Sequence, residues 1–180
     1  YAHSGAVPRE YRHDALLAAT DFVYQAEAQW AKWLAAGRDM VFTVGRFATE
    51  TNAHSLTKVP GRVDFTVDLR SQEVELLQEA ARFMHERADE ISQRREVSIE
   101  LGQMDIVPPS LMDDRFQRKL HTVAQQLGIP TETIASGAGH DAANFVTAGV
   151  LSAMIFIRND RGSHNKDEAM EIEDFGTGVK

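Results

Sequence analysis

Apolar residues recur at steps of three and four from about Asp14 to Ala36 (Leu16, Ala19, Val23, Ala26, Trp30, Trp33), the spacing of one face of an amphipathic helix. Gly37 follows where a left-handed C-terminal cap is expected. Met40 to Ala48 reads as a strand. From Arg62 to Arg70 the alternation is strict, with Val63, Phe65, Val67 and Leu69 on one side and Asp64, Thr66, Asp68 and Arg70 on the other, which predicts a half-buried strand. Ser71 is then placed to cap a second helix with a core stripe of Val74, Leu77, Ala81, Met84, Ala88 and Ile91. A further strand is expected at Val97, Ile99 and Leu101.

This order, α-β-β-α-β, is that of a ferredoxin-like (split βαβ) layer lacking its first strand. With that strand missing the chain is expected to begin mid-domain, and because it opens at Tyr1 without an initiator methionine its N-terminus is expected to be processed or cut. Pro108 and Pro109 interrupt the pattern and suit a hinge, placing a domain boundary between 1–108 and 109–180. Beyond it the pattern predicts a helix (Asp113 to Leu127), a strand (about Thr131 to Ala135), a helix from Asp141, a strand (Ser152 to Ile157) and a last helix from about Glu171. Such alternation implies an α/β unit of parallel strands joined by helical crossovers.

Composition narrows the chemistry. A net charge of -8 lacks the Lys/Arg surplus that phosphate backbones require, so no nucleic-acid partner is expected. The longest apolar run, near Val150 to Ile157, is too short for a membrane span, and a cytoplasmic protein is the default expectation. With no cysteine, disulfides and thiolate metal sites are excluded, and any metal must be held by His and carboxylate groups.

In an open parallel sheet, ligands gather at the carboxyl ends of strands. Two histidines fall there, His140 in Ser136-Gly137-Ala138-Gly139-His140-Asp141 and His164 in Gly162-Ser163-His164-Asn165. If their strands are neighbours, both imidazoles face one crevice, as metal ligands or proton carriers. Gly137 and Gly139 are either turn residues or bare backbone N–H donors for an oxyanion. Ser136 lies outside a G-x-S-x-G elbow, which disfavours a serine hydrolase. Arg70 either pairs with Asp68 at the surface or clamps a substrate carboxylate through its two-pronged guanidinium. Among the other histidines, only His3 stands in a turn context, beside Gly5 and Pro8, while His85 and His121 are expected on helices in structural or solvent-facing positions.

Four blocks taken together resemble one family. Ala2-His3-Ser4-Gly5-Ala6-Val7-Pro8 with Arg12-His13-Asp14-Ala15 is similar to its H-A-G-x-x-P…R-x-D-A segment, and Val59-Pro60-Gly61 with Phe65-Thr66-Val67-Asp68-Leu69-Arg70 to its V-P-G…F-x-x-D-x-R segment. Ser136 through Ala142 resembles S-G-A-G-H-D-A, and Met154-Ile155-Phe156-Ile157 with Ser163-His164-Asn165 resembles M-I-F…S-H-N. The family is that of the M20-type binuclear-metal amidases which hydrolyse ureido groups, the N-carbamoyl-L-amino acid hydrolases and allantoate amidohydrolases.

The resemblance implies a lid or dimerisation domain over 1–108 and the C-terminal part of a metallopeptidase-like metal-binding domain over 109–180. It implies two divalent ions (Zn, or Mn, Co or Ni) in the complete enzyme, with His164 as the one ligand present in this chain. His140 and Gly139 would meet the substrate carbonyl and Arg70 its carboxylate. His3 would reach the site of the partner subunit in a homodimer. Thr57 stands where many members carry a substrate-binding Asn, so substrate preference is expected to differ. The remaining metal ligands and the catalytic Glu of the family match nothing here, so the segment alone is expected to be inactive. The expected substrate is a small ureido or amide compound bearing a carboxylate. Two other readings are an aminoacylase or dipeptidase relative, and a non-catalytic fragment that only dimerises or binds.

Overall fold

The computed structural model describes residues 1–180. In chain order it contains β1 (Ala2–His3), α1 (Ala15–Ala35), β2 (Val41–Thr49), β3 (Lys58–Val59), β4 (Val63–Arg70), α2 (Val74–Arg95), α3 (Asp114–Gln126), α4 (Asp141–Thr147) and α5 (Ile172–Val179), a mixed α/β chain. It divides into two compact units, Tyr1–Pro109 and Ser110–Lys180, with the proline pair closing the first. No helix is long and apolar enough to cross a membrane.

In the first unit α1 begins because Asp14 accepts hydrogen bonds from the N–H groups of Leu16 and Leu17, both at 3.0 Å, filling two of the donors that a helix start leaves unmatched. It stops at Gly37, whose φ of 76° lets its N–H bond Leu34 O (2.9 Å) and the Arg38 N–H bond Trp33 O (3.0 Å). β2 and β4 then pair antiparallel, Phe42 opposite Leu69, Val44 opposite Val67 and Phe47 opposite Phe65, with a register shift between Val44 and Arg46. Gly45 sits at that shift. Ala18, Phe22 and Ala26 of α1 interlock with Met84, Ala88 and Ile91 of α2, and Phe42, Phe65, Val67 and Leu69 of the sheet pack against them. A second cluster joins Trp33, Met40, Leu76 and Ala80. Across the helix pair, Asp21 takes hydrogen bonds from Arg94 (2.7 Å) and Arg95 (2.8 Å).

The stripe of α2 departs from the expected one in its first half, where Leu76 and Ala80 are buried rather than Leu77 and Ala81. Burial at 76, 80, 84, 88 and 91 keeps steps of four and three on the face toward α1. Ser71 is not the cap either. Glu73 holds that position, while Ser71 stands two residues earlier, donating to Asp39 O (2.6 Å) and accepting from the Glu73 N–H (3.0 Å).

The expected strand at Val97 to Leu101 is extended chain without a ladder. Val97, Ile99 and Leu101 still turn toward the first cluster. Alternation thus records a half-buried extended segment, whereas a strand also needs a hydrogen-bonded neighbour. No ladder forms at 131–135, which is exposed throughout, or at 152–157 in the second unit, so the expected parallel sheet is absent and both sheets of the chain are two-stranded antiparallel pairs. No residue of Ser110–Lys180 is buried. The apolar stripe of α3, Phe116, Leu120, Val123 and Leu127, stays 37% to 50% exposed, and no sheet forms against which those helices would pack.

Candidate active-site residues

His3 lies on β1, whose short antiparallel ladder with β3 sets it opposite Lys58. The next residue, Ser4, donates its N–H to Thr57 O at 2.7 Å, so the ladder brings His3 and Thr57 together. His3 Nδ1 accepts from the Gly5 N–H at 3.1 Å, which puts the proton of the neutral ring on Nε2 and leaves a donor there. Arg12 fixes the same turn by donating from Nε to Val7 O (2.8 Å) and from Nη2 to Ser4 O. Beside β3 a cleft of about 530 Å³ is lined by Tyr1, Glu50, His54, Lys58 and Arg62 among others.

Arg70 ends β4 on its solvent side. Its Nε and Nη2 both reach Asp68 Oδ2, at 2.8 and 2.6 Å, and the hydrogen bonds and charge of Asp68 hold the guanidinium pKa above its ordinary value. The surface pair expected as the plainer alternative is therefore present. Seven residue steps of β4, roughly 23 Å of extended chain, separate Arg70 from Val63 at the end nearer β3.

In the second unit His140 is the N-cap residue of α4. Ser136 Oγ accepts the Ala138 N–H (3.2 Å) and lies 2.5 Å from His140 Nε2, and Phe156 meets the imidazole edge-on at 5.7 Å between ring centres. Ser136 Oγ also donates to Ala138 O at 3.2 Å, so its one proton has two acceptors within reach, and the tautomer of His140 follows which of them takes it. Gly139 has no positive φ, and a Cβ built there would meet nothing within 4 Å. Neither conformation nor crowding requires a glycine at that position.

His164 sits in the loop closed by the Asp160–Ala169 bridge, with a left-handed backbone (φ 60°) and its N–H bonded to Glu168 Oε2 at 3.0 Å. The crevice shared by His140 and His164 was expected from neighbouring strands, and the strands that would form it are not paired. No three His, Asp or Glu side chains converge where an ion could be held.

Two contacts escape sequence reading, Ser136 to His140 and Glu168 to His164. Each partner lies four residues from its histidine, a spacing that carries no signal in a loop. His13, His54 and His121 each make one hydrogen bond, to Glu96 O, Thr49 Oγ1 and Thr131 Oγ1, and His85 is exposed on α2.

Residues 25–180 match the model of peptidase family M20/M25/M40. The chain belongs to this family. Within it, the chain is similar to an N-carbamoyl-L-amino-acid amidohydrolase of Pseudomonas sp., at 29% identity over 99% of this chain and 42% of that protein. It is similar to the allantoate amidohydrolase of Escherichia coli at 28%, with the same coverage of each. Among solved structures, an amidase of the hydantoinase/carbamoylase family from Burkholderia multivorans superposes with a TM-score of 0.88 at 30% identity, covering 99% of this chain and 42% of that one. The M20 chain described here thus spans 42% of the length of these relatives.

Proposed function

We propose that the whole protein is an amidohydrolase that cleaves the ureido C–N bond of N-carbamoyl-L-amino acids or allantoate-like compounds. The observation that carries the reading is the likeness of the chain, over nearly its entire length, to M20 relatives that act on such compounds. We assign residues 1–108 as a ferredoxin-like lid and dimerisation domain and 109–180 as the C-terminal part of the metal-binding domain. The cofactor of the whole protein is two divalent ions (Zn, Mn, Co or Ni), and this chain supplies one ligand, His164. The protein works as a cytoplasmic homodimer.

Each remaining residue has a role its local chemistry supports. Arg70 exchanges its Asp68 partner for the substrate carboxylate, which a guanidinium grips through two parallel hydrogen bonds. His3, with its donor on Nε2, and His140 hydrogen-bond the carbonyl oxygen as negative charge grows there, assisted by the Gly139 N–H. Thr57 offers a hydroxyl at the edge of the same site. The separation of Arg70 from the His3 ladder within one lid supports a site to which His3 is contributed by the partner subunit. His164→Ala is expected to lower bound metal and hydrolysis together in the whole protein. Unchanged metal content with full activity contradicts the assignment.

A further inference from the structure

We infer that Glu168 is a positioning residue for His164. The loop that carries this histidine is narrow at its neck, where Asp160 and Ala169 exchange backbone hydrogen bonds of 2.7 and 3.2 Å. Inside it, Arg161 (φ 64°), Gly162 (φ 71°) and His164 (φ 60°) all adopt left-handed backbone, and two of them are not glycine. Such conformations are sparsely populated for residues with a Cβ and persist where the surroundings over-determine them. Glu168 supplies that determination with both of its oxygens. Oε2 accepts the N–H of His164 at 3.0 Å, and Oε1 accepts from Asn159 Nδ2 at 3.1 Å.

Asn159 in turn donates to Gly162 O at 3.1 Å, and Asn165 Nδ2 donates to Arg161 O at 2.8 Å. The His164 amide is thereby tied across the loop to a residue beside its neck. Because the direction of Cα–Cβ follows from the backbone, a carboxylate that fixes the amide of His164 also fixes the direction in which its side chain leaves the chain, and so narrows where the imidazole can reach. No other side chain accepts from that amide. The role rests on the proposed reading of His164 as an active-site residue, whereas the backbone contact itself does not depend on it.

The test replaces Glu168 with Gln, which keeps the shape but presents an N–H₂ group to one of the two donors. In the whole protein, amide hydrogen exchange resolved by residue is expected to quicken roughly tenfold or more at His164 and to stay unchanged outside 159–169. Turnover is expected to fall on the order of 10- to 100-fold with KM nearly constant, the range for losing a group that orients an active-site residue. Asn159→Ala, which removes the other partner of the same carboxylate, is expected to give a smaller change of the same kind, and the double variant less than the product of the two. Unchanged exchange at His164 in both variants overturns the inference, whatever happens to activity. Quickened exchange at His164 together with a fully active His164→Ala overturns the metal-ligand reading of His164 and leaves the Glu168 contact standing.

Discussion

Replacing Arg70 with Lys separates a surface ion pair from a substrate clamp. In the structure both nitrogens of the Arg70 fork fall on one oxygen of Asp68, and the two side chains are 47% and 48% exposed. A pair so open to solvent contributes under ~1 kcal/mol, so the substitution is expected to leave the unfolding free energy within that margin. Binding a substrate carboxylate is a different matter. A lysine keeps the charge but loses the second, parallel hydrogen bond, and hydrogen bonds to charged groups are worth about 1.5–3 kcal/mol. At 1.36 kcal/mol per tenfold, kcat/KM is expected to fall by a factor of about 10 to 150. The assay compares, in the whole protein, a carboxylate substrate with its neutral amide analogue. Wild type should discriminate strongly between them and Arg70→Lys only weakly, so that the two changes do not add. Equal discrimination by both proteins would end the clamp assignment.

Two further outcomes concern the first unit. Asp21 has a side chain only 15% exposed, and although burial pushes its carboxyl pKa up, hydrogen bonds from Gln25, Arg95 and Arg94 outweigh that and hold it below the ordinary value of 3.8. Asp21→Asn is expected to cost about 1–2 kcal/mol in urea unfolding, after discounting for the partly exposed arginines. A folded-state pKa that is depressed stabilises above the unfolded value and is lost as pH falls through the folded one. The gap between wild type and variant should therefore be level at neutral pH and shrink below pH 3.8, and an equal gap at neutral pH and well below that value contradicts the assignment. Glu96 ends α2 in left-handed conformation at φ 52°. Glu96→Gly relieves about 1–2 kcal/mol of backbone cost against about 0.5–1 lost to the freer unfolded chain, so a net gain of roughly 0.5–1 kcal/mol is expected by thermal unfolding.

Elements whose apolar period is unambiguous were legible in the sequence. α1, β2 and β4 stand within a residue or two of where Trp30, Trp33 and the Val63-to-Leu69 alternation place them. α2 was legible as a helix but not in its facing, because apolar residues at 74, 76, 77, 80 and 81 allow two stripes, and only packing against α1 chooses Leu76 and Ala80. Segments 97–101, 131–135 and 152–157 carry strand-like composition without strand pairing, and 131–135 is exposed besides, since a local pattern does not report the presence of a neighbour. At the site, His3, Arg70, His140 and His164 could be singled out by motif, yet what holds them could not. Asp68 was visible as the neighbour of Arg70 on its strand face, whereas Ser136 and Glu168 reach their histidines through loop geometry that no period encodes.

Substrate choice tests the central reading most directly. The metal-loaded whole protein is offered an N-carbamoyl-L-amino acid, the N-acetyl derivative of the same amino acid and a dipeptide, and release of the free amino acid is followed in each case. The N-carbamoyl compound is expected to be cleaved with kcat/KM on the order of 100-fold or more above the others, the discrimination that polar recognition of the ureido nitrogen supports. Equal or faster cleavage of the N-acetyl compound or the dipeptide, with the N-carbamoyl compound left intact, would contradict it.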